Sequence, residues 1–309
     1  MLTVLVATRN GASTLTMTLA AMQDLKIDSP WELIVVDNAS TDKSCQIIKS
    51  FRKKLPLRMV AESRLGKNAA LNTGLKYASG DFIVLTDDDV LPHSDWLSQL
   101  ETCSADHPDF DIFGGRILPY WISNPDPIIL DNAPFDSTYA ITPKSVCDGP
   151  VSPGMVWGGN MAVRRRVFDA SHRFNENVGP CGENYLMGSE TEFTTRVYEQ
   201  GFRSWFCNAA LVKHIIRENQ LDREWVLSRA YRNGRGWWHQ QPKRGFTVPC
   251  IAGLPRCRFR VLAGEYGRLL LATLRRDSVA GFRAHWQIRF LKGYLTEGWR
   301  SRNANTNRE

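Results

Sequence analysis

The chain has 309 residues, 43% of them hydrophobic and 23% charged, an ordinary globular composition that can bury a substantial core. Seven scattered cysteines without a Cys-x-x-Cys pair argue against a disulfide scaffold or a zinc ribbon, and no apolar run reaches the ~18 residues that span a bilayer. The net charge of +7 is uneven: residues 213 to 309 carry 20 Lys and Arg against 7 Asp and Glu, or +13, leaving −6 on residues 1 to 212, and a basic appendage on an acidic body points to an anionic partner.

Residues Val4 to Ala7 read as a first strand buried on both faces, because both alternating sets of side chains are apolar. A polar turn, Thr8-Arg9-Asn10-Gly11, leads to helical spacing at Leu15, Leu19 and Met22. The unit repeats: Trp31 to Val36 is a buried strand ending at Asp37-Asn38-Ala39-Ser40-Thr41-Asp42, followed by a helix with Cys45, Ile48 and Phe51 on one face. A third repeat starts near Leu57, passes Gly66-Lys67-Asn68 and enters a helix carrying Leu71 and Leu75. A fourth strand, Phe82-Ile83-Val84-Leu85, runs straight into Asp87-Asp88-Asp89.

Strands alternating with helices at this rhythm predict a largely parallel sheet with right-handed crossovers. In such sheets ligands bind beyond the carboxyl ends of the strands. Ala7, Thr8, Asn10, Asp37, Lys67 and the acidic triplet should therefore collect along one edge. An isolated acidic triplet also fits a solvated turn; beside a lysine and other strand ends it fits a hard cation and a diphosphate. The absence of Gly-x-Gly-x-x-Gly after the first strand, and of a P-loop, removes the main support for dinucleotide or P-loop binding.

In order and spacing, Val6 to Asn10, Leu33 to Asp42, Gly66 to Gly74 and Asp87 to Asp89 resemble the family 2 glycosyltransferases. The resemblance covers roughly the first 235 residues. It implies the GT-A fold, a Rossmann-like three-layer α/β/α arrangement with a mostly parallel mixed sheet, over residues 1 to 220, with a basic amphipathic helical extension over 221 to 309. It also implies an inverting transfer from a nucleoside-diphosphate sugar to a glycan or polyprenyl-linked acceptor, assisted by Mn²⁺ or Mg²⁺. Asp37 would read the base, Asp87 the ribose and Lys67 the phosphates, with Ala7, Thr8, Asn10 and Asp88 completing the donor site and Asp89 holding the metal.

Seven prolines between residues 119 and 153 predict a long irregular segment, either a surface excursion or a cover over substrate. Trp157-Gly158-Gly159-Asn160 resembles the family's acceptor segment, where glycines permit close backbone approach; Gly159 and Asn160 are its candidate contacts, with packing the alternative for Asn160. At the helix opening on Ser189-Glu190-Thr191-Glu192, the family places an acidic catalytic base, usually Asp; the aligned residue is Glu190. Glu190 and Glu192 lie about 200° apart on a helix, so only one can face a cleft.

His214, at a later strand end, reads by itself as a packed residue, but the family resemblance implies an imidazole near the metal here, which makes it the candidate ligand beside Asp89. Arg232 and Trp237 belong to an Arg and aromatic cluster suited to a diphosphate or a sugar ring, read here as acceptor-binding, or else to a core helix with solvated arginines. From Val261 to Arg302, Leu262, Leu269, Leu270, Leu274, Phe282, Trp286, Phe290, Leu291, Tyr294 and Trp299 recur among arginines. That pattern fits helices lying on an anionic membrane surface or helices packed on the main domain. The first residues, apolar and without a basic flank, do not read as a signal peptide, so a cytoplasmic protein, peripheral on the inner membrane face and without nucleic-acid partners, is expected.

Two rivals share parts of this pattern. A sugar-phosphate nucleotidyltransferase would need a Gly-rich, Arg-containing loop after the first strand. A receiver domain with a nucleic-acid-binding tail would end near residue 125 and leave the segments around Asn160 and Glu190 without a role.

Overall fold

The structure, a computed structural model, describes residues 1–180, 185–241 and 248–306, with side chains as far as residue 302. In chain order its main elements begin with β1 (Leu2–Thr8), α1 (Leu15–Gln23), β2 (Trp31–Asp37), α2 (Ser44–Phe51), β3 (Leu57–Ala61), α3 (Lys67–Leu75) and β4 (Phe82–Asp87). They continue with β5 (Val90–Pro92), α4 (Trp96–Asp106), β6 (Ile112–Trp121), α5 (Pro127–Asn132), α6 (Phe135–Tyr139), β7 (Gly149–Val151), β8 (Met161–Arg164), α7 (Arg165–Asp169) and α8 (Ser189–Tyr198). The last are β9 (Ser204–Ile216), α9 (Arg223–His239), α10 (Arg256–Arg275) and α11 (Ser278–Thr306).

The chain forms two compact units. The first comprises Met1–Tyr120, Tyr139–Tyr185 and Ser189–Ile216; the second comprises Trp121–Thr138, Leu186–Gly188 and Arg217–Glu309. The main part of the second unit begins at Arg217, and two earlier excursions join it. One excursion is the proline-rich stretch, which is not wholly irregular: Pro127 sits at the start of α5, where its missing N–H costs nothing, and Asp126 caps that helix by accepting from Ile128 N at 2.8 Å.

In the first unit one sheet runs β3-β2-β1-β4-β8-β6-β9-β5, with β7 on β9. The strands β3, β2, β1 and β4 are mutually parallel, as the alternation predicts, whereas β8 lies antiparallel to β4 and β6. Because β8 sits between β4 and β6, the residues after 158 are part of the same sheet, and a receiver domain ending near residue 125 is ruled out. Val4, Leu5 and Val6 of β1 and Val84 of β4 have no exposed surface, which is why these strands carry unbroken apolar runs. On one face Ala70, Leu71 and Leu75 of α3 join Leu5, Ile34, Val36, Ile83 and Phe193 in the core.

Candidate active site

Register aligns the strand ends. Thr8 lies opposite Asp37 across the β1–β2 pair, and Ala7 opposite Asp87 across the β1–β4 pair, so the polar turns after three strands emerge level at one edge. The turns after β1 and β2 are tied together: Asn10 Oδ1 accepts from Thr41 N at 2.8 Å, Asn10 N donates to Ser40 Oγ at 3.0 Å, and Gly11 N donates to Ser44 Oγ at 2.9 Å. Asn10 itself adopts φ +54°, a left-handed turn conformation that Asn tolerates better than most residues.

Lys67, the first residue of α3, stands at the centre. Its Nζ lies 2.6 Å from Asp87 Oδ1 and 3.3 Å from Glu190 Oε1, linking the fourth strand end to the start of α8. Burial pushes the ammonium toward neutrality, but Asp87 and Glu190 more than offset it and leave Lys67 with a pKa above the ordinary lysine value. The side chain is thus a fixed positive charge. The other glutamate of α8 faces away, as the helical angle requires: Glu192 Oε1 accepts from Arg196 Nε at 2.8 Å.

Gly158 explains the glycine pair. A Cβ placed on it would collide with Glu190 Oε1, so the carboxylate rests directly on the backbone before β8. Neighbouring Gly159 accepts from Thr86 Oγ1 at 2.8 Å, fastening the same segment to β4.

Asp37 is 6% exposed, and among the described residues its Oδ1 has no hydrogen-bond partner, while Oδ2 accepts from Cys45 Sγ at 3.2 Å. A buried carboxylate oxygen left unpaired is costly unless a ligand group completes it. Next to it, Asn38 Oδ1 accepts from Gly66 N at 2.8 Å and anchors the loop that delivers Lys67.

The acidic triplet divides. Asp87 turns to Lys67. Asp88 turns back: its carboxylate accepts from the Thr8 hydroxyl and its carbonyl accepts from Thr18 Oγ1 at 3.0 Å, so Asp88 and Thr8 brace each other. Asp89, 8% exposed, has Oδ1 3.5 Å from His214 Nε2 across the β5–β9 pairing. His214 Nδ1 lies 2.6 Å from Tyr139 O, which can only accept, so Nδ1 carries a proton and Nε2 is the nitrogen presented to Asp89. Burial pushes the imidazole down, but the Asp89 carboxylate beside it more than offsets this and holds it above the usual histidine value. A buried carboxylate and a tautomerically fixed imidazole make a donor pair that fits Mn²⁺ or Mg²⁺ with oxygen ligands from elsewhere. Among the described residues no cluster of three or more His, Cys, Asp or Glu is arranged as a complete cation site.

Three predicted residues stand differently. Asn160 has no exposed surface; its Oδ1 accepts from Trp96 Nε1 at 2.8 Å and its Nδ2 donates to Arg116 O at 3.1 Å and Ala210 O at 2.8 Å. Both of its donors are used inside the fold, so Asn160 braces the sheet, the packing role that the sequence held as its alternative. Arg232 and Trp237 belong to α9 of the second unit, where Trp237 packs on Phe290 with ring centroids 5.9 Å apart and has Arg258 over its face at 5.3 Å.

Sequence reasoning missed the residues that orient these groups. Asn68 Oδ1 accepts from Ser189 Oγ at 2.7 Å, and its Nδ2 donates to Asn175 O and Val178 O at 2.7 and 2.8 Å, fixing the start of α8 beside Lys67. Asn72, one turn on, donates to Phe174 O at 2.9 Å. Two asparagines four apart on an otherwise apolar helix face were the available signal.

A family model described as Glycosyl transferase family 2 matches residues 3–170. A glucosyl-dolichyl phosphate glucuronosyltransferase of Haloferax volcanii is 23% identical over 208 residues, 66% of this chain and 66% of that protein. A chondroitin synthase of Pasteurella multocida is 24% identical over 256 residues, 72% of this chain and 26% of that protein, so the match spans just under two thirds of the first relative and about a quarter of the second. Among solved structures, the mannosyltransferase PcManGT of Pyrobaculum calidifontis, in complex with GDP-Man and Mn²⁺, has a TM-score of 0.63 at 20% identity, covering 96% of this chain and 87% of that one, a likeness of fold. With over half its length matched by the family model and its sheet arranged as in such enzymes, this chain belongs to glycosyl transferase family 2.

Proposed function

We propose that this chain transfers a glycosyl group from a nucleoside-diphosphate sugar to a hydroxyl of a glycan or polyprenyl-linked saccharide, with inversion at the anomeric carbon. The observation that carries this reading is the seat of Glu190: its carboxylate lies on Gly158 and within 3.3 Å of the lysine that also holds Asp87. A base placed there is within reach of both the donor side and the segment before β8.

Glu190 accepts the proton of the acceptor hydroxyl as that oxygen bonds to the anomeric carbon and the bond from that carbon to the diphosphate oxygen breaks. The nucleoside diphosphate leaves with the electron pair. Lys67, permanently charged, complements the diphosphate, Asp87 accepts from the ribose hydroxyls, and the unpaired Asp37 Oδ1 accepts from the base. Asp89 and His214 would hold Mn²⁺ or Mg²⁺, which supplies positive charge opposite the leaving group when bound. The names of the archaeal and bacterial relatives support a saccharide acceptor.

The test is a panel of UDP-, GDP- and dTDP-sugars, with hydrolysis measured in Mn²⁺ or Mg²⁺ for wild type, Asp89→Ala and Glu190→Gln. One sugar nucleotide should bind and turn over. Glu190→Gln should lower kcat by about 10²- to 10⁴-fold with donor binding retained. If no sugar nucleotide binds, or if Glu190→Gln turns over at the wild-type rate, the reading fails.

A further inference from the structure

The basic tail read from the sequence as a single amphipathic region divides, in the second unit, into a packed helix and an outward-facing one. In α11, Phe282, Ile288, Leu291 and Tyr294 are 5%, 3%, 2% and 1% exposed and form core. In α10 the reverse holds on one face. Leu270, Leu271 and Leu274 are 62%, 52% and 73% exposed, and they continue a face that includes Arg260, Ala263, Gly264 and Gly267 at helical spacing. A Cβ on Gly264 or Gly267 would meet nothing among the described residues, so nothing described packs there. The opposite face of α10 is the buried one, with Ala272 4% exposed and Glu265 5% exposed and paired to Arg268.

A water-exposed helix face ordinarily carries Lys, Glu or Gln, and adjacent exposed leucines are unfavourable unless something covers them. What surrounds them here indicates the cover. Arg260 lies on the same face, exposed Arg275 and Arg276 follow Leu274, and Leu271 also lines a groove of about 560 Å³ shared with Arg268, Arg275 and Arg283. Val279 forms part of the apolar wall, and the groove's acids are Glu265, already paired, and Asp277. Apolar residues ringed by arginines complement a surface with anionic headgroups over hydrocarbon.

We propose that the outward face of α10, centred on Leu270, Leu271 and Leu274, is a docking surface for an anionic lipid bilayer. The leucines enter the headgroup and acyl boundary, and Arg260, Arg275 and Arg276, with the groove arginines, meet the phosphates. The helix lies in the interface; among the described residues no helix is long and apolar enough to cross a membrane. This goes beyond the reading of the sugar-nucleotide site and does not depend on it.

The test uses the full chain, without any sugar nucleotide, sedimented with vesicles of phosphatidylcholine alone or mixed with phosphatidylglycerol. Wild type should co-sediment with the mixed vesicles, less with the neutral ones, and less as salt rises. L270E/L271E/L274E should weaken partition by at least about tenfold, since three apolar groups that would enter the bilayer become charged. R260Q/R275Q/R276Q should remove the preference for anionic lipid. Circular dichroism and thermal melting identify a variant that fails to fold, and L274E alone, at the most exposed of the three leucines, then serves in place of the triple change. Wild-type sedimentation that ignores lipid charge, absence of binding, or leucine variants that sediment like wild type would overturn the proposal. So would a concentration-dependent dimer of the wild type, lost in the leucine variants without vesicle binding, because the face would then belong to a second copy.

Discussion

Glu190 and Gly158 are in direct contact, and in the proposed reaction the position of the carboxylate depends on a missing methyl group. The atom that a Cβ on Gly158 would strike is the far end of a flexible glutamate, so the side chain can yield cheaply. Gly158→Ala should therefore displace the carboxylate without unfolding the sheet. We expect kcat to fall on the order of 10²-fold while donor affinity and melting temperature stay near wild type, read from steady-state kinetics and a thermal melt. A stability loss with kcat preserved would mean that the glycine serves packing alone. Helical spacing said that only one of Glu190 and Glu192 can face a cleft, and the family resemblance pointed to Glu190. Its contact with Lys67 was not legible, because residues 67 and 190 meet only through the pairing of distant elements.

Helices α9 and α11 of the second unit show the same economy at a larger scale. A Cβ on Gly234 would collide with Phe290 O, and one on Gly293 with Tyr231 O, so the two helices cross with backbone against backbone. The contact is locked by Arg235 Nε donating to Glu297 Oε2 at 2.7 Å, with His239 Nε2 2.9 Å from Glu297 Oε1. Burial raises the Glu297 pKa, but His239 and Arg235 outweigh it and hold the carboxyl below the ordinary value. On an isolated helix Gly293→Ala would stabilise by about 1 kcal/mol. Here the obstacle is main chain, which cannot step aside, so overpacking should dominate and cost about 1–3 kcal/mol, measured by urea unfolding. The sequence left the Arg and aromatic cluster of α9 open between ligand binding and a core helix; Arg235, 7% exposed, and Trp237, against Phe290, take part in packing, because periodicity reports a face and not what covers it.

Over the molecule, acid sensitivity should trace in part to Glu62, a residue that no motif pointed to. Its carboxylate accepts from Arg64 N at 2.8 Å, from Arg64 Nη2 at 2.8 Å and from Thr73 Oγ1 at 2.5 Å, joining the end of β3 to α3. The paired Arg64 guanidinium, above all, lowers the carboxyl from 4.5 to about 2. A carboxyl more acidic in the folded chain contributes stability that is complete above the unfolded value and fades as pH falls toward the folded one. Glu62→Gln should thus cost about 1–3 kcal/mol near neutrality. The gap from wild type should close as pH falls from 4.5 toward about 2, as followed by denaturant unfolding. A gap that persists at the acid end would assign the effect to shape and not to charge.

Local pattern carried the alternating strands, the helices between them and the edge where polar turns gather, because buried parallel strands must be apolar on both faces and their turns must be polar. It also set Asp37, Lys67, Asp87 and Asp89 along one edge, while Glu190 and His214 were added to them by the family resemblance. Only the packed chain separated Asp88, bound back to Thr8, from its neighbours, turned Asn160 into an internal brace and revealed Asn68 behind Ser189. Only packing divided the basic tail, burying the apolar face of α11 and leaving the leucines of α10 outside. The physical reason is the same in each case: a residue's type and spacing fix what it can bond to, but long-range pairing decides which partner is within reach.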